Sequence, residues 1–206
     1  MSSSPQRPTL TDIARSRTAG VIDPIVTVLA RFNVSPDALT VLGMVLHFLF
    51  AWLIATGELR WAALAIFLGV PLDSLDGALA RKIGRQGGNF GAFLDSTADR
   101  IAELILFGGF LYYFQQRAEV ALVFAAYAAI GGSLMVSYTR SRAEGIGVSC
   151  KVGLFTRVER YILIVAALIL RQPAIGIIIL ALGSWFTVGQ RAYHVWKQTR
   201  LPDRQP

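Results

Sequence analysis

Apolar runs long enough to cross a bilayer fill most of residues 37–196, and carboxylates stand at the ends of two of them. A helix needs about 20 mostly apolar residues to cross the hydrocarbon core. Six stretches approach that length: 37–57, 60–82, 89–114, 118–142, 156–171 and 173–196, the fifth being the shortest. The chain is 54% hydrophobic and only 16% charged, against roughly 25% charged in soluble domains. Lipid is therefore the expected solvent. These features predict an all-α integral membrane protein of six transmembrane helices, preceded by an N-terminal amphipathic interfacial helix.

The connections Gly57–Arg60 and Arg171–Ala174 are tight and predict antiparallel hairpins. Residues 1–8 are rich in Ser and Pro and read as a disordered tail. Residues 9–34 read as a surface helix, in which Ile22, Ile25, Val26 and Leu29 share one face while Asp23 and Arg31 lie off it. Ser35 and Pro36 form a helix start, with Ser as N-cap and Pro in the first turn. The first 20 residues lack the apolar core of a secretory signal, so the first membrane helix is expected to be retained. No repeat or linker marks a second domain, so residues 1–206 are expected to form one membrane domain with its helical core at 36–197. The single cysteine, Cys150, excludes an intramolecular disulfide.

Lys and Arg sort by side of the membrane. Arg60, Arg117 and Arg171 lie on one side, one per loop. Arg7, Arg15, Arg17, Arg31, Arg81, Lys82, Arg85, Arg140, Arg142, Lys151, Arg157, Arg160, Arg191, Lys197, Arg200 and Arg204 lie on the other. The positive-inside rule places that side, both termini and the acidic segments in the cytoplasm of a cell-membrane protein. The net charge of +7 follows this topology. It points to anionic lipid headgroups rather than nucleic acid.

The acidic segments have a regular spacing. Asp73 and Asp76 are i, i+3, and Gly77 and Ala80 continue their stripe. Gly91, Asp95 and Asp99 recur every four residues and share one helix face. The Gly-rich connection between the two spans makes them neighbours, so both faces can meet. Four carboxylates so close repel strongly in low dielectric, and cations must neutralise them. An all-oxygen set suits Mg²⁺, Mn²⁺ or Ca²⁺. Two ions bridged by shared Asp side chains would clamp a phosphate or diphosphate. Gly77 and Gly91 leave room for a ligand against the backbone, and Arg81 can neutralise a phosphate. Asp99, deepest into its span from Gly91, is the candidate to deprotonate an acceptor hydroxyl. Helix caps and interfacial snorkelling do not explain the pattern, because a cap needs one Asp rather than four in register with small residues.

Asp73, Asp76, Gly77, Ala80, Arg81, Gly91, Asp95 and Asp99 fill every fixed position of D-x-x-D-G-x-x-A-R…G-x-x-x-D-x-x-x-D, with a nine-residue spacer. In this the chain resembles the CDP-alcohol phosphatidyltransferase family, whose six-span layout and surface helix also fit. The resemblance implies that Asp73, Asp76, Asp95 and Asp99 bind two Mg²⁺ or Mn²⁺ ions and that Asp99 is the general base. It implies that Gly77, Ala80, Arg81 and Gly91 line a CDP-lipid pocket. Pro36, Asp37 and Thr40 are similar to a nucleotide-contacting Pro-Asp-x-x-Thr stretch, and Gly88 aligns with a further contact. The implied reaction is attack by an alcohol on the β-phosphorus of CDP-diacylglycerol, with release of CMP. A homodimer is the family expectation.

Two later segments bear on the alcohol. Ser137-Tyr138-Thr139-Arg140-Ser141-Arg142-Ala143-Glu144 and Gly153-Leu154-Phe155-Thr156-Arg157-Val158-Glu159-Arg160, with Gln190-Arg191, resemble the phosphatidylinositol-phosphate synthase branch and its archaetidylinositol-phosphate relatives. The resemblance implies that Arg140, Arg157 and Arg191 bind the phosphate of inositol 1-phosphate, a soluble phosphorylated alcohol. Arg is well suited to bidentate phosphate contacts, although the same three residues also serve membrane topology. Arg140 stands where bacterial members often have Lys, and Thr156 and Val158 replace Glu and Pro of a common form. Glycerol 3-phosphate and free inositol therefore remain open as acceptors. An intramembrane prenyltransferase would lack the Asp-Gly-x-x-Ala-Arg core. A divalent-cation transporter would carry its acids at mid-membrane.

His47 and His194 read as packing or interface residues, and Cys150 as an incidental loop residue. Trp61, Trp185, Trp196 and Tyr193 read as interfacial aromatics. The Phe-rich third and fourth spans read as core or lipid-facing, and Gly131-Gly132 as a close helix contact, within or between subunits. Asp99→Asn is expected to lower CMP release about a hundredfold or more while sparing CDP-lipid binding. A variant that loses lipid binding instead would overturn the base role.

Overall fold

The computed structural model describes residues 23–70, 73–84 and 89–200, and no strand occurs among them. The helices in chain order are α1 (23–31), α2 (Pro36–Ala55), α3 (Leu59–Gly69), α4 (Asp73–Lys82), α5 (Asn89–Gln115), α6 (Val120–Gly145), α7 (Arg157–Ile169) and α8 (Pro173–Arg200). The tail expected at 1–8, the surface helix before residue 23, and Gly88 lie outside the described residues.

Helices α2, α6 and α8 are long and apolar enough to cross a membrane by length and composition. Helix α5 runs from Asn89 to Gln115 but carries Asp95, Asp99, Arg100 and Glu103 before its last three turns. The stretch expected as one span over 60–82 is instead two helices, α3 of 11 residues and α4 of 10. The sequence puts Pro71 between them; proline has no N–H to donate and disfavours helical backbone at the preceding residue. Helix α7, with 13 residues, is roughly 20 Å long.

The chain divides into two compact units. One takes the chain up to Gly43 together with Val70–Ala98, and the other takes Met44–Gly69 and the chain from Asp99 onward. In the first unit, Val26 of α1 is buried with Leu75 and Leu79 of α4, and Leu29, Ala30, Val34 and Leu39 pack around them. Part of the apolar face of α1 is thus spent on α4, while Ile25 and Val28 stay exposed. Lys82 Nζ donates to Thr27 Oγ1 across the same pair of helices. Beyond the end of α1, Asn33 has a φ of 52° that lets the Val34 N–H return to Leu29 O. Ser35 Oγ accepts the Ala38 N–H at 3.1 Å, the expected N-cap of α2.

In the second unit, α6 lies along α8, and α7 packs on α3 and α8. The Gly131-Gly132 pair makes its close contact within the chain: a Cβ on Gly132 would stand 2.8 Å from Ser184 Cβ of α8. Trp185 Nε1 donates to Ala128 O at 3.0 Å beside it, so this tryptophan is partly structural. Phe107, Phe110 and Phe114 are buried core, whereas Phe124, Trp61, Tyr193 and Trp196 are exposed. His47 is buried and its Nε2 lies 2.9 Å from the Tyr161 hydroxyl, a packing role for this histidine. Cys150, expected as an incidental loop residue, is fully buried.

Backbones approach closely where Gly109 of α5 meets Ala51 of α2. A Cβ at 109 would fall 2.5 Å from Ala51 O, whereas one at Gly108 would meet nothing within 4 Å. Gly109→Ala is therefore expected to destabilise the protein by about 1–3 kcal/mol, read as a lower thermal midpoint in detergent. Gly108→Ala is the control. Equal midpoints for the two variants would contradict the contact.

Candidate active site

In the first unit the site residues come from the starts of α2, α4 and α5. Asp73 is the first residue of α4, and its side chain is outside the description. Asp76, one turn on, is 8% exposed. It accepts a hydrogen bond from Thr40 Oγ1 at 2.5 Å and one from the Gly77 N–H at 2.5 Å. A hydroxyl bonded to a carboxylate in this way fixes which oxygen faces a ligand. A Cβ on Gly91 would come 3.9 Å from Asp37 Oδ1, so the Asp37 carboxylate faces the first turn of α5. That is the end of a helix at which negative charge is favoured. The Arg81 guanidinium folds back toward Gly77, 3.5 Å from where a Cβ would be. Pro36 is buried, Ala80 is half-buried, and Asp95, one turn beyond Gly91, is exposed.

Thus the first turn of α2 meets α4 through Thr40 and α5 through Asp37. Asp37 and Thr40 belong to one sequence motif and Asp76 and Gly91 to another, and the fold of this unit links the two. Carboxylate oxygens such as those of Asp76 and Asp95 are of the kind that suits a hard divalent ion. Among the described side chains, which exclude that of Asp73, no three His, Cys, Asp or Glu residues are gathered as one ion would need.

In the second unit, Asp99 is 16% exposed and pairs with Arg157 Nη1 at 2.7 Å, with Arg100 Nη1 at 3.4 Å. Arg157 is the first residue of α7. Its placement begins with Thr156, the N-cap, whose hydroxyl bonds the Glu159 carboxylate three residues on. The loop before it is fixed along one stripe of α8. Thr187 Oγ1 accepts the Phe155 N–H at 3.0 Å, and Gln190 Oε1 accepts the Leu154 N–H at 3.1 Å. Arg191 Nε donates to Val152 O at 2.9 Å, and His194 Nε2 lies 3.1 Å from Ser149 O. Positions 187, 190, 191 and 194 share a helix face, so this loop follows α8 and delivers Arg157 to Asp99.

The three expected acceptor arginines differ in setting. Arg157 stands against Asp99. Arg140 is exposed and pairs with Glu144 on its own helix at 2.9 Å. Arg191 is 3% exposed, and its Nη1 donates to Val136 O in addition to the Nε bond. It ties α6 and the loop to α8 whatever else it binds. Sequence reasoning missed Glu103, Ser133 and Thr187 and gave Arg160 only a topological role. Glu103 was detectable, because it continues the four-residue spacing of Gly91, Asp95 and Asp99.

The chain thus combines helices of membrane length with shorter or more polar helices that carry carboxylates and Arg157. The CDP-alcohol phosphatidyltransferase family model matches residues 33–189, and the chain belongs to this family. A phosphatidylinositol phosphate synthase of Mycobacterium marinum is 35% identical over 203 residues, covering 93% of this chain and 86% of its own. An archaetidylinositol phosphate synthase of Pyrococcus horikoshii is 34% identical over 174 residues, covering 84% and 89%. The crystal structure of Mycobacterium tuberculosis phosphatidylinositol phosphate synthase with CDP-DAG bound superposes with a TM-score of 0.83 at 32% identity, covering 91% of this chain and all of that one. The same enzyme in complex with manganese and citrate gives 0.81, covering 90% and 93%. The chain is therefore a CDP-alcohol phosphatidyltransferase.

Thr40→Val is expected to weaken Mn²⁺ binding about tenfold or more, since Asp76 loses the hydroxyl that orients it. Electron paramagnetic resonance titration of the purified protein with Mn²⁺ measures this. An affinity equal to that of the unsubstituted protein would remove Thr40 from the site.

Proposed function

We propose that this enzyme transfers the phosphatidyl group of a CDP-diacylglycerol-type lipid to inositol 1-phosphate, releasing CMP. The observation that carries the reading is the 2.7 Å pairing of Arg157 with Asp99. A cation suited to the phosphate of an acceptor stands beside the carboxylate suited to deprotonate its hydroxyl. Relatives named for inositol-phosphate products, and a structural neighbour with CDP-DAG bound, support the choice of substrates.

In this reading Asp99 takes the proton of the acceptor hydroxyl as its oxygen attacks the β-phosphorus. The bond from that phosphorus to the CMP oxygen breaks and CMP leaves. Pro36, Asp37, Thr40, Gly77, Ala80, Arg81, Gly88 and Gly91 form the CDP-lipid pocket, with the glycines admitting the nucleotide against the backbone. Arg140, Arg157 and Arg191 hold the acceptor phosphate. Two Mg²⁺ or Mn²⁺ ions held by Asp73, Asp76, Asp95 and Asp99 would supply the positive charge that a diphosphate and its departing CMP need; the neighbour with manganese supports a divalent ion.

The wider architecture belongs to the same proposal. The chain forms one catalytic membrane domain of six spans behind an interfacial N-terminal helix. It is a homodimer in the cell membrane, with both termini and the acidic motif in the cytoplasm, as the distribution of Lys and Arg supports.

The test is CMP release from CDP-diacylglycerol with Mg²⁺ or Mn²⁺ and a panel of inositol 1-phosphate, inositol and glycerol 3-phosphate. Inositol 1-phosphate is expected to be turned over best, and Arg157→Ala to raise its KM about tenfold or more. Equal rates with inositol and inositol 1-phosphate would overturn the arginine pocket. Chelation with EDTA is expected to stop turnover and added Mn²⁺ to restore it; persistence of CMP release in EDTA would exclude the metal role of the four aspartates.

A further inference from the structure

We propose that Glu103 and Arg160 are positioning residues for the acceptor side of the reaction, a buried pin that sets where Arg157 stands against Asp99. The inference rests on the reading of Asp99 as base and Arg157 as phosphate ligand.

Asp99 and Glu103 are one turn apart on α5, and Arg157 and Arg160 are one turn apart on α7. The structure joins them as two rungs: Arg157 to Asp99 at 2.7 Å, and Arg160 Nη2 to Glu103 Oε1. The rungs differ in access. In the outer one, the side chains of Arg157 and Asp99 are 30% and 16% exposed, so a ligand can reach them. In the inner one, Arg160 and Glu103 are 2% and 4% exposed.

The inner rung is fastened on its other sides as well. Ser133 Oγ of α6 donates to Glu103 Oε2 at 2.8 Å. Arg160 Nη1 donates to Phe155 O at 3.1 Å, in the loop that α8 holds. Four elements therefore meet at one buried charge pair. Each residue of sliding between α5 and α7 would displace the partners by about 1.5 Å along the axis and leave two buried charges apart. A buried pair of this kind adds little net stability over apolar packing, and setting register is its best-attested use. Arg160 is too deep to trade its carboxylate for a substrate phosphate. Arg157 can make that exchange while the inner rung keeps α7 in place.

Four measurements on the protein test this. Arg160→Lys keeps the charge but loses the guanidinium fork that reaches both Glu103 and Phe155 O. It is expected to raise the KM for inositol 1-phosphate about tenfold, from displacement of Arg157, and to leave the KM for CDP-diacylglycerol unchanged. A parallel rise in both KM values would overturn the proposal. The double variant Glu103→Met/Arg160→Met replaces the pair by apolar side chains. It is expected to keep the raised acceptor KM; return of that KM to the unsubstituted value would show the pair to be structural only. Spin labels at the exposed positions Leu104→Cys and Ile162→Cys report the α5–α7 distance without substrate. Glu103→Gln is expected to change that distance, and an unchanged distance would overturn the register claim. Arg157→Ala separates the two levels. An unaltered acceptor KM in that variant removes the acceptor reading, while the label distance still decides whether the inner pair sets register.

Discussion

Arg160 and Glu103 carry full charges where almost no water reaches them, and each is tolerable only in the presence of the other. Removing one partner of such a pair costs about 3–5 kcal/mol, a large part of the roughly 5–15 kcal/mol that holds a typical protein folded. The pair ties α5 to α7, Ser133 brings in α6, and Phe155 O brings in the loop that α8 secures. The accessible Arg157–Asp99 contact is the last member of this assembly. The accessible pair of Asp99 and Arg157 stands one turn from the buried pair of Glu103 and Arg160.

The first unit solves a different problem with shorter reach. Its carboxylates must be held for a ligand without being used up by their own helix. Thr40 supplies a neutral donor to Asp76 and so orients it without cancelling its charge. Glycines at 77 and 91 keep the adjoining surface free of side chains, and Arg81 and Asp37 stand beside those gaps. This division suits a transferase for CDP-activated alcohols, the family to which the chain belongs.

Membrane character and site chemistry compete along the same chain. Helices α2, α6 and α8 carry the apolar length. The segments that carry the acidic motif and Arg157 are shorter or more polar: α4 opens on Asp73, α5 bears Asp95, Asp99, Arg100 and Glu103, and α7 has 13 residues. Helix α3 ends at Gly69 and α4 begins at Asp73, so the acidic motif opens a helix of its own. The part of α1 expected to lie on lipid instead spends Val26 and Leu29 on Leu75 and Leu79. That contact braces the helix that carries Asp76.

The sequence by itself determined the helical class, the lipid-facing composition and the aspartate–glycine–arginine motif. Each of these is a local spacing, and helix geometry turns spacing into a shared face. It also determined the start of α2, because Ser35-Pro36 acts on its own backbone. It did not determine which of many Lys and Arg residues does what. Arg140, Arg157, Arg160 and Arg191 look alike as membrane-flanking cations. Arg140 pairs with Glu144 four residues on in its own helix, whereas packing sends Arg157 to Asp99, Arg160 to Glu103 and Arg191 to two backbone carbonyls. The destination of a long cationic side chain depends on which acceptor another helix presents within a few ångströms. That is a property of how α5, α6, α7 and α8 pack, and no spacing along the chain encodes it.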